Sequence, residues 1–107
     1  MQDKCLYFGS LGSDLAGDII IRDTAKEGVV GMFHRDNSGA PSSTCASLVL
    51  NKERTLCWYE GASGKYSLDH LKTNISLIEN SGFLYTTAYF LLTKPDALDI
   101  FVDLGVK

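Results

Sequence analysis

No apolar run in this chain approaches the roughly 20 residues that a membrane-spanning helix needs. An excess of positive charge is also lacking. Ten Lys and Arg stand against 13 Asp and Glu, leaving a net charge of −3 and a pI near 5.2. No basic field exists to hold nucleic acid or an anionic membrane surface. Cysteine is scarce and badly placed for cross-linking: Cys5, Cys45 and Cys57 are odd in number and widely spaced. That excludes a disulfide framework and a C-x-x-C metal or redox pair, and predicts buried thiols that pack like small hydrophobes. Asn74-Ile75-Ser76 matches a glycosylation acceptor, but Met1-Gln2-Asp3-Lys4 leads into a strand-like stretch without the organisation of a secretory signal. The tripeptide is therefore read as chance, and the chain as cytoplasmic, with the nucleus also open to it.

What is present suits one soluble globular domain. The 107 residues are 45% hydrophobic and 21% charged, outside the range of disordered chains. No internal repeat or low-complexity tract occurs. Lys4 to Gly9 reads as a buried strand around Cys5, Leu6, Tyr7 and Phe8, closed by glycine. Ser13 is the expected cap of the next helix, with Asp14 in its first turn, where negative charge suits the helix dipole. Leu15, Ala16, Ile19 and Ile20 recur at helical spacing, Asp18 and Arg22 form an i,i+4 pair, and Gly28 ends the helix. Val29 to His34 resumes a strand, and such a strand–helix–strand opening points to a parallel or mixed sheet flanked by helices.

Arg35 to Ser43 is turn-rich. Thr44 to Leu50 and Thr55 to Glu60 then read as a hairpin about the polar turn Asn51-Lys52-Glu53-Arg54. Gly61 to Gly64 reads as a hinge or a close backbone approach. Ser67 caps a second helix with Leu68, Leu71, Ile75 and Ile78 on one face, stopped at Asn80-Ser81-Gly82. Phe83 to Leu91 is strand-like. A last helix starts at Thr93, Pro95 and Asp96, with Leu98, Phe101 and Leu104 as its apolar stripe.

Two motifs, Tyr7-Phe8-Gly9-Ser10-Leu11-Gly12-Ser13-Asp14-Leu15-Ala16-Gly17-Asp18 and Pro41-Ser42-Ser43-Thr44-Cys45-Ala46, are the most specific features. With Arg54-Thr55-Leu56, Tyr66, and the run Tyr85 to Leu91 followed by Pro95, they resemble the amino-terminal half of the adenosine kinases. Those are ribokinase-like kinases of the PfkB carbohydrate and nucleoside kinase family. The resemblance implies an α/β fold: a partial ribokinase-like core at 1–34 and 66–107, and a β-hairpin lid segment with its hinges at 35–65. It implies ATP-dependent phosphorylation of adenosine to AMP in purine salvage, with Mg2+ on the phosphates. Carried over by position, Arg54 is the phosphate-facing arginine, Leu56 and Trp58 lie beside the purine, Cys45 lies at the pocket wall, and Tyr89 occupies the place of a purine-stacking aromatic.

The chain departs from the family pattern at several places. Ser42 and Ser43 replace a threonine and a glycine, and Tyr59 and Gly64 each replace an asparagine. Trp58 stands where a small residue lies beside the purine, and Glu60 where an apolar one does. Those two changes favour, as the alternative, a sugar kinase of the same superfamily. No segment resembles the family's first strand with its ribose-holding Asn and Asp, or the Gly-Gly motif after it. Nor does any match the Asp-Thr-x-Gly-Ala-Gly-Asp motif, whose helix start binds the phosphoryl anion and whose last aspartate is the base. The chain alone is therefore expected to be inactive. A third reading is a non-catalytic remnant that binds a partner, or itself, through open sheet edges.

Each candidate also has a plainer reading. Gly9, Gly12 and Gly17 have the wrong spacing for a dinucleotide fingerprint and suit a turn and helix–sheet packing. Asp14 suits a helix start better than catalysis, and Cys45 would need a base to be a nucleophile. His34 and His70 fall in different elements and are read as packing or exposed residues. Arg54 is either solvated in a hairpin turn or turned to phosphate. Trp58 and Tyr89 are either packing residues or ligand platforms.

Overall fold

The apolar run after Lys4 forms a strand, β1 (Leu6–Gly12), in the computed structural model, which describes residues 4–105. The start at Met1-Gln2-Asp3 and the end at Lys107 lie outside the described residues. β1 runs three residues past the expected end because glycine permits close backbone approach there. A Cβ on Gly12 would lie 2.5 Å from Ala40 O and 2.6 Å from Ser42 N. Helix α1 (Leu15–Lys26) follows, then β2 (Val30–Asp36), paired parallel to β1 from Leu6↔Val30 to Gly12↔Asp36. This is the βαβ unit that the sequence pattern predicts.

Two details of α1 differ from the sequence reading. Asp14, not Ser13, is the cap: its Oδ1 accepts from Gly17 N–H at 2.9 Å. Ser13 Oγ instead donates to Asp36 O at 3.1 Å and to Asn37 Oδ1 at 3.3 Å. The Asp18–Arg22 pair also does not form. Asp18 accepts from Arg35 Nη2 of β2 at 3.1 Å, and Arg22 Nε turns to Asp23 at 2.9 Å. An exposed i,i+4 pair is worth only a few tenths of a kcal/mol, so a cation from the neighbouring strand displaces it readily. The stop does form as read, with Gly28 at φ +73.

The hairpin consists of β3 (Thr44–Leu50) and β4 (Glu53–Tyr59), antiparallel from Thr44↔Tyr59 to Leu50↔Glu53. The turn is tighter than four residues. Asn51 and Lys52 alone make it, at φ +52 and +66, the paired left-handed conformation that matches strand twist. Glu53 and Arg54 therefore lie in β4. Every residue of both strands is exposed, so this is a free two-stranded ribbon. That openness corrects the expectation of buried thiols, since Cys45 and Cys57 ride on the ribbon and Cys5 precedes β1, all three exposed. A 3-10 turn, Gly61–Lys65, follows and packs on β1 and β2. Leu11, Ala62 and Tyr66 are the buried hydrophobic residues here.

The described residues divide into two compact units between Tyr66 and Ser67. The second unit is helical. Ser67 Oγ caps α2 (Leu68–Thr73), accepting from Asp69 N–H at 3.2 Å. The single helix read through Ile78 is broken at Asn74, which ends α2 and precedes α3 (Ile75–Glu79). Its Nδ2 donates to His70 O at 2.8 Å, the local side-chain competition that interrupts helices at asparagine. Leu71 and Ile78 remain buried on the shared apolar face, each contributing about 1.5–3 kcal/mol.

The strand read at Phe83 to Leu91 does not form. Residues 83–87 carry no regular structure, and α4 (Ala88–Thr93) starts behind Thr87, whose Oγ1 accepts from Phe90 N–H at 3.2 Å. A strand needs a partner ladder, whereas a capped helix closes its own hydrogen bonds. In α5 (Ala97–Gly105) the stripe keeps Phe101 and Leu104 but takes Ala97 in place of Leu98. Ala97 is buried and Ile100, Phe101 and Leu104 are half-buried, while Leu98 is exposed. Phe101 packs against Phe90 with ring centroids 6.3 Å apart.

Candidate functional site

Register decides which side chains of the ribbon share a face, because directly paired residues of an antiparallel ladder point the same way and neighbours alternate. Cys45 pairs with Trp58, Ser47 with Leu56 and Val49 with Arg54. One face thus carries Cys45, Ser47, Val49, Arg54, Leu56 and Trp58. Four of the five residues singled out in the sequence fall together on it. The fifth, Tyr89, belongs to α4 in the second unit and is half exposed.

The face is graded. Arg54 stands near the tip, one residue from the turn, and Trp58 near the stem, about 13 Å further along the strand. A guanidinium at one end, Leu56 midway, and Cys45 with an indole at the other end suit a ligand with an anionic end and a flat apolar ring. Trp58 is 46% exposed, so much of the indole is open to contact. A shallow, open depression of about 320 Å³ lies at the stem, lined by Thr44, Cys45, Ala46, Cys57, Trp58 and Tyr59.

The root of the ribbon is held by residues to which the sequence reading gave no joint role. Ser42, only 2% exposed, donates its N–H to Asp14 Oδ2 at 2.7 Å and its hydroxyl to Asp14 Oδ1 at 2.7 Å. It also accepts from Gly12 N–H at 3.0 Å. These bonds, chiefly from the Ser42 hydroxyl and then from Gly17 N–H, hold the Asp14 carboxyl below its ordinary value of 3.8, with Arg35 adding a smaller pull. A signal existed in the sequence: a helix-capping aspartate and a serine in the turn-rich segment. Nothing in it announced that the two would meet.

Asp36 is buried and accepts from Ser38 Oγ at 2.6 Å and Ser38 N–H at 3.2 Å, which lowers its pKa and closes the turn after β2. Ser10 Oγ and His34 Nδ1 lie 3.1 Å apart across the β1–β2 pair. The His34 ring meets Tyr66 edge-on at 6.3 Å, and burial pushes the Tyr66 hydroxyl up to about 12. Neither histidine nor tyrosine faces the ribbon residues through any of these contacts.

At the start of α1 the Asp14 carboxylate already takes the Gly17 N–H and places negative charge there, which disfavours a bound phosphate. Among the described residues, no three His, Cys, Asp or Glu side chains converge to hold a metal ion. No described helix is long and apolar enough to cross a membrane.

Comparison with known proteins places this geometry. The model of the pfkB family carbohydrate kinases matches residues 2–104. Adenosine kinase 2 of Arabidopsis thaliana is 34% identical over 96 residues, which are 88% of this chain and 28% of that protein. Among solved structures, Anopheles gambiae adenosine kinase in complex with P1,P4-di(adenosine-5) tetraphosphate superposes with a TM-score of 0.76. It is 27% identical, over 82% of this chain and 27% of that one. Schistosoma mansoni adenosine kinase in complex with 2-fluoroadenosine gives a TM-score of 0.66 at 31% identity, over 70% of this chain and 22% of that one. This chain thus spans about a quarter of the length of the relatives it matches. The strand–helix–strand unit and its ribbon are a partial ribokinase-like α/β fold, and the chain belongs to the pfkB family of carbohydrate kinases.

Proposed function

We propose that this chain supplies the lid and part of the core of a kinase that phosphorylates the 5′-hydroxyl of adenosine from ATP. The observation that carries the reading is the ribbon register, with Arg54, Leu56, Trp58 and Cys45 on one face. In this reading the segment 35–65 is the lid, and the remaining residues are core. Leu56 and Trp58 cover the purine and Cys45 lines its edge, excluding water from the ring. Arg54 meets negative charge as it builds on the transferred phosphoryl group. ATP and Mg2+ supply the phosphoryl group and its charge balance, bound by segments that this sequence does not encode.

Support comes from relatives whose names state adenosine kinase and from solved neighbours holding adenosine-containing ligands. The test is a chimera in which this chain replaces the matching residues of Arabidopsis adenosine kinase 2, assayed for AMP formation. AMP formation that falls when Arg54 is changed to Ala supports the reading. A folded chimera without phosphotransfer to adenosine overturns it. Ribose and fructose in the same assay address the sugar-kinase alternative, which the indole of Trp58 and the carboxylate of Glu60 favour.

A further inference from the structure

The two stems of the ribbon are stitched to each other before they reach the core. Ala62 N–H donates to Pro41 O at 2.8 Å, Ser63 N–H donates to Ser43 Oγ at 3.2 Å, and the Ser43 hydroxyl donates to Glu60 O. Gly61 sits at φ +50, and a Cβ there would come within 2.3 Å of Pro41 O, so the stems are in backbone contact. Movement of one stem must carry the other.

Two kinds of attachment join this root to the βαβ core. The 3-10 turn packs on β1 and β2 through buried Ala62 and Tyr66, an apolar contact without strong directional preference. Ser42 makes the directional one. Its N–H and hydroxyl both go to the Asp14 carboxylate, its Oγ accepts from Gly12 N–H, and its side chain is sealed from water. Opening these bonds leaves the polar groups of buried Ser42 unsatisfied, so the arrangement favours one angle. Glycine makes the approach sterically possible. A Cβ on Gly17 would stand 2.5 Å from Gly12 O and 3.1 Å from Ser42 Oγ.

We propose that Asp14 and Ser42 form a latch, a positioning pair through which the cap of α1 sets the angle of the β3–β4 ribbon on the core. Asp14 acts on the ribbon through Ser42. If the ribbon is the lid of the proposed kinase, the latch sets where Arg54 and Trp58 are presented; that consequence alone rests on the proposed function.

The three exposed cysteines make the latch measurable in the 107-residue chain. With Cys45 changed to Ser, nitroxide labels on Cys5 and Cys57, in chains diluted with excess unlabelled chain so that only spins within one chain are read, report the distance from core to ribbon by pulsed electron resonance. The unsubstituted latch gives one narrow distribution. Asp14→Asn places an amide donor against the Ser42 N–H and widens the distribution at least twofold, as does Ser42→Ala. Ser42→Thr, which keeps the hydroxyl, restores the narrow one, and the Asp14→Asn/Ser42→Ala pair is no wider than either single change. Hydrogen exchange at Val30 N–H, bonded to Cys5 O at 2.9 Å, stays within twofold throughout. An unchanged width in Asp14→Asn and Ser42→Ala overturns the latch. So does failure of threonine to restore it, or widening that arrives only with lost protection at Val30, which would make Asp14 merely a structural cap. The distances read the latch without any phosphotransfer, so this proposal and the proposed function fail separately.

Discussion

Asp14 and Ser42, 28 residues apart in sequence, are joined by two hydrogen bonds of 2.7 Å, both accepted by the Asp14 carboxylate. A third, from Gly17 N–H at 2.9 Å, makes the same carboxylate the cap of α1. One side chain therefore terminates a helix and anchors the root of the ribbon.

That relationship has a pH dependence whose sign is set by the lowered Asp14 pKa. Unfolded, the group titrates near its ordinary 3.8; folded, it stays ionised to lower pH. Its contribution to stability is complete above about pH 4 and is lost as pH falls through the folded value. Acid unfolding followed by circular dichroism should show this loss, and Asp14→Asn should lack the portion due to Asp14. Asp36, lowered by Ser38, contributes in the same direction and remains in the variant. Identical acid profiles for the two proteins would contradict the assignment.

Lys52 holds a left-handed conformation at φ +66, which costs a side-chain-bearing residue about 1 kcal/mol relative to glycine. Lys52→Gly at this second turn position should recover much of that cost. In a chain of this size the midpoint of thermal unfolding should rise by about 4–8 °C. A lowered midpoint would mean that the turn is not the paired left-handed type.

In the chimera with Arabidopsis adenosine kinase 2, Arg54→Ala should lower kcat much more than it raises KM. A cation that meets charge only as it develops stabilises the transition state and not the bound substrate. Losing one such contact should cost about 2–4 kcal/mol. Unchanged kcat would leave Arg54 as a solvated strand residue.

The 107-residue chain by itself should transfer no phosphate from ATP to adenosine, since it encodes neither the family's base aspartate nor its anion-binding helix start. A radiolabelled AMP assay with a no-enzyme control checks this. Turnover that survives repurification would show that other residues supply both roles.

The isolated chain should also be marginally stable and self-associate. β1 and β2 form only a two-stranded parallel sheet, an arrangement that normally relies on neighbouring strands and helices. Phe83 is 99% exposed, Tyr85 is also exposed, and both faces of the ribbon are open. Light scattering should report oligomers that grow with concentration. A monomer that unfolds sharply and reversibly would show that these residues close a sufficient core.

Much of the architecture was legible because its causes are local. Gly28 could stop α1 since glycine accepts φ +73 freely, and Ser67 could cap α2 since its hydroxyl reaches an N–H two residues away. The hairpin was legible from two β-rich runs about a polar turn, though not which two residues would make that turn. The partial ribokinase-like fold came from motif order, and the family match over residues 2–104 agrees with it. The Phe83 to Leu91 strand was read from apolar composition alone. Composition cannot supply the hydrogen-bonding neighbour that a strand needs, and Thr87 offered a helix cap instead.

The amino-acid sequence by itself determined the order of elements as far as the ribbon, several of their caps and stops, and the residue types that the ribbon presents. These follow from backbone preference and from hydrogen bonds that span a few residues. Only the tertiary structure decided that Asp14 rather than Ser13 caps α1, that Asp18 takes Arg35, and that Arg54 shares a face with Trp58. Each of those outcomes turns on a partner brought close by the fold or on a one-residue choice of register. A slip of one residue between β3 and β4 would part Arg54 from its partner Val49 and set Cys45 against a different neighbour, with no change in the sequence at all.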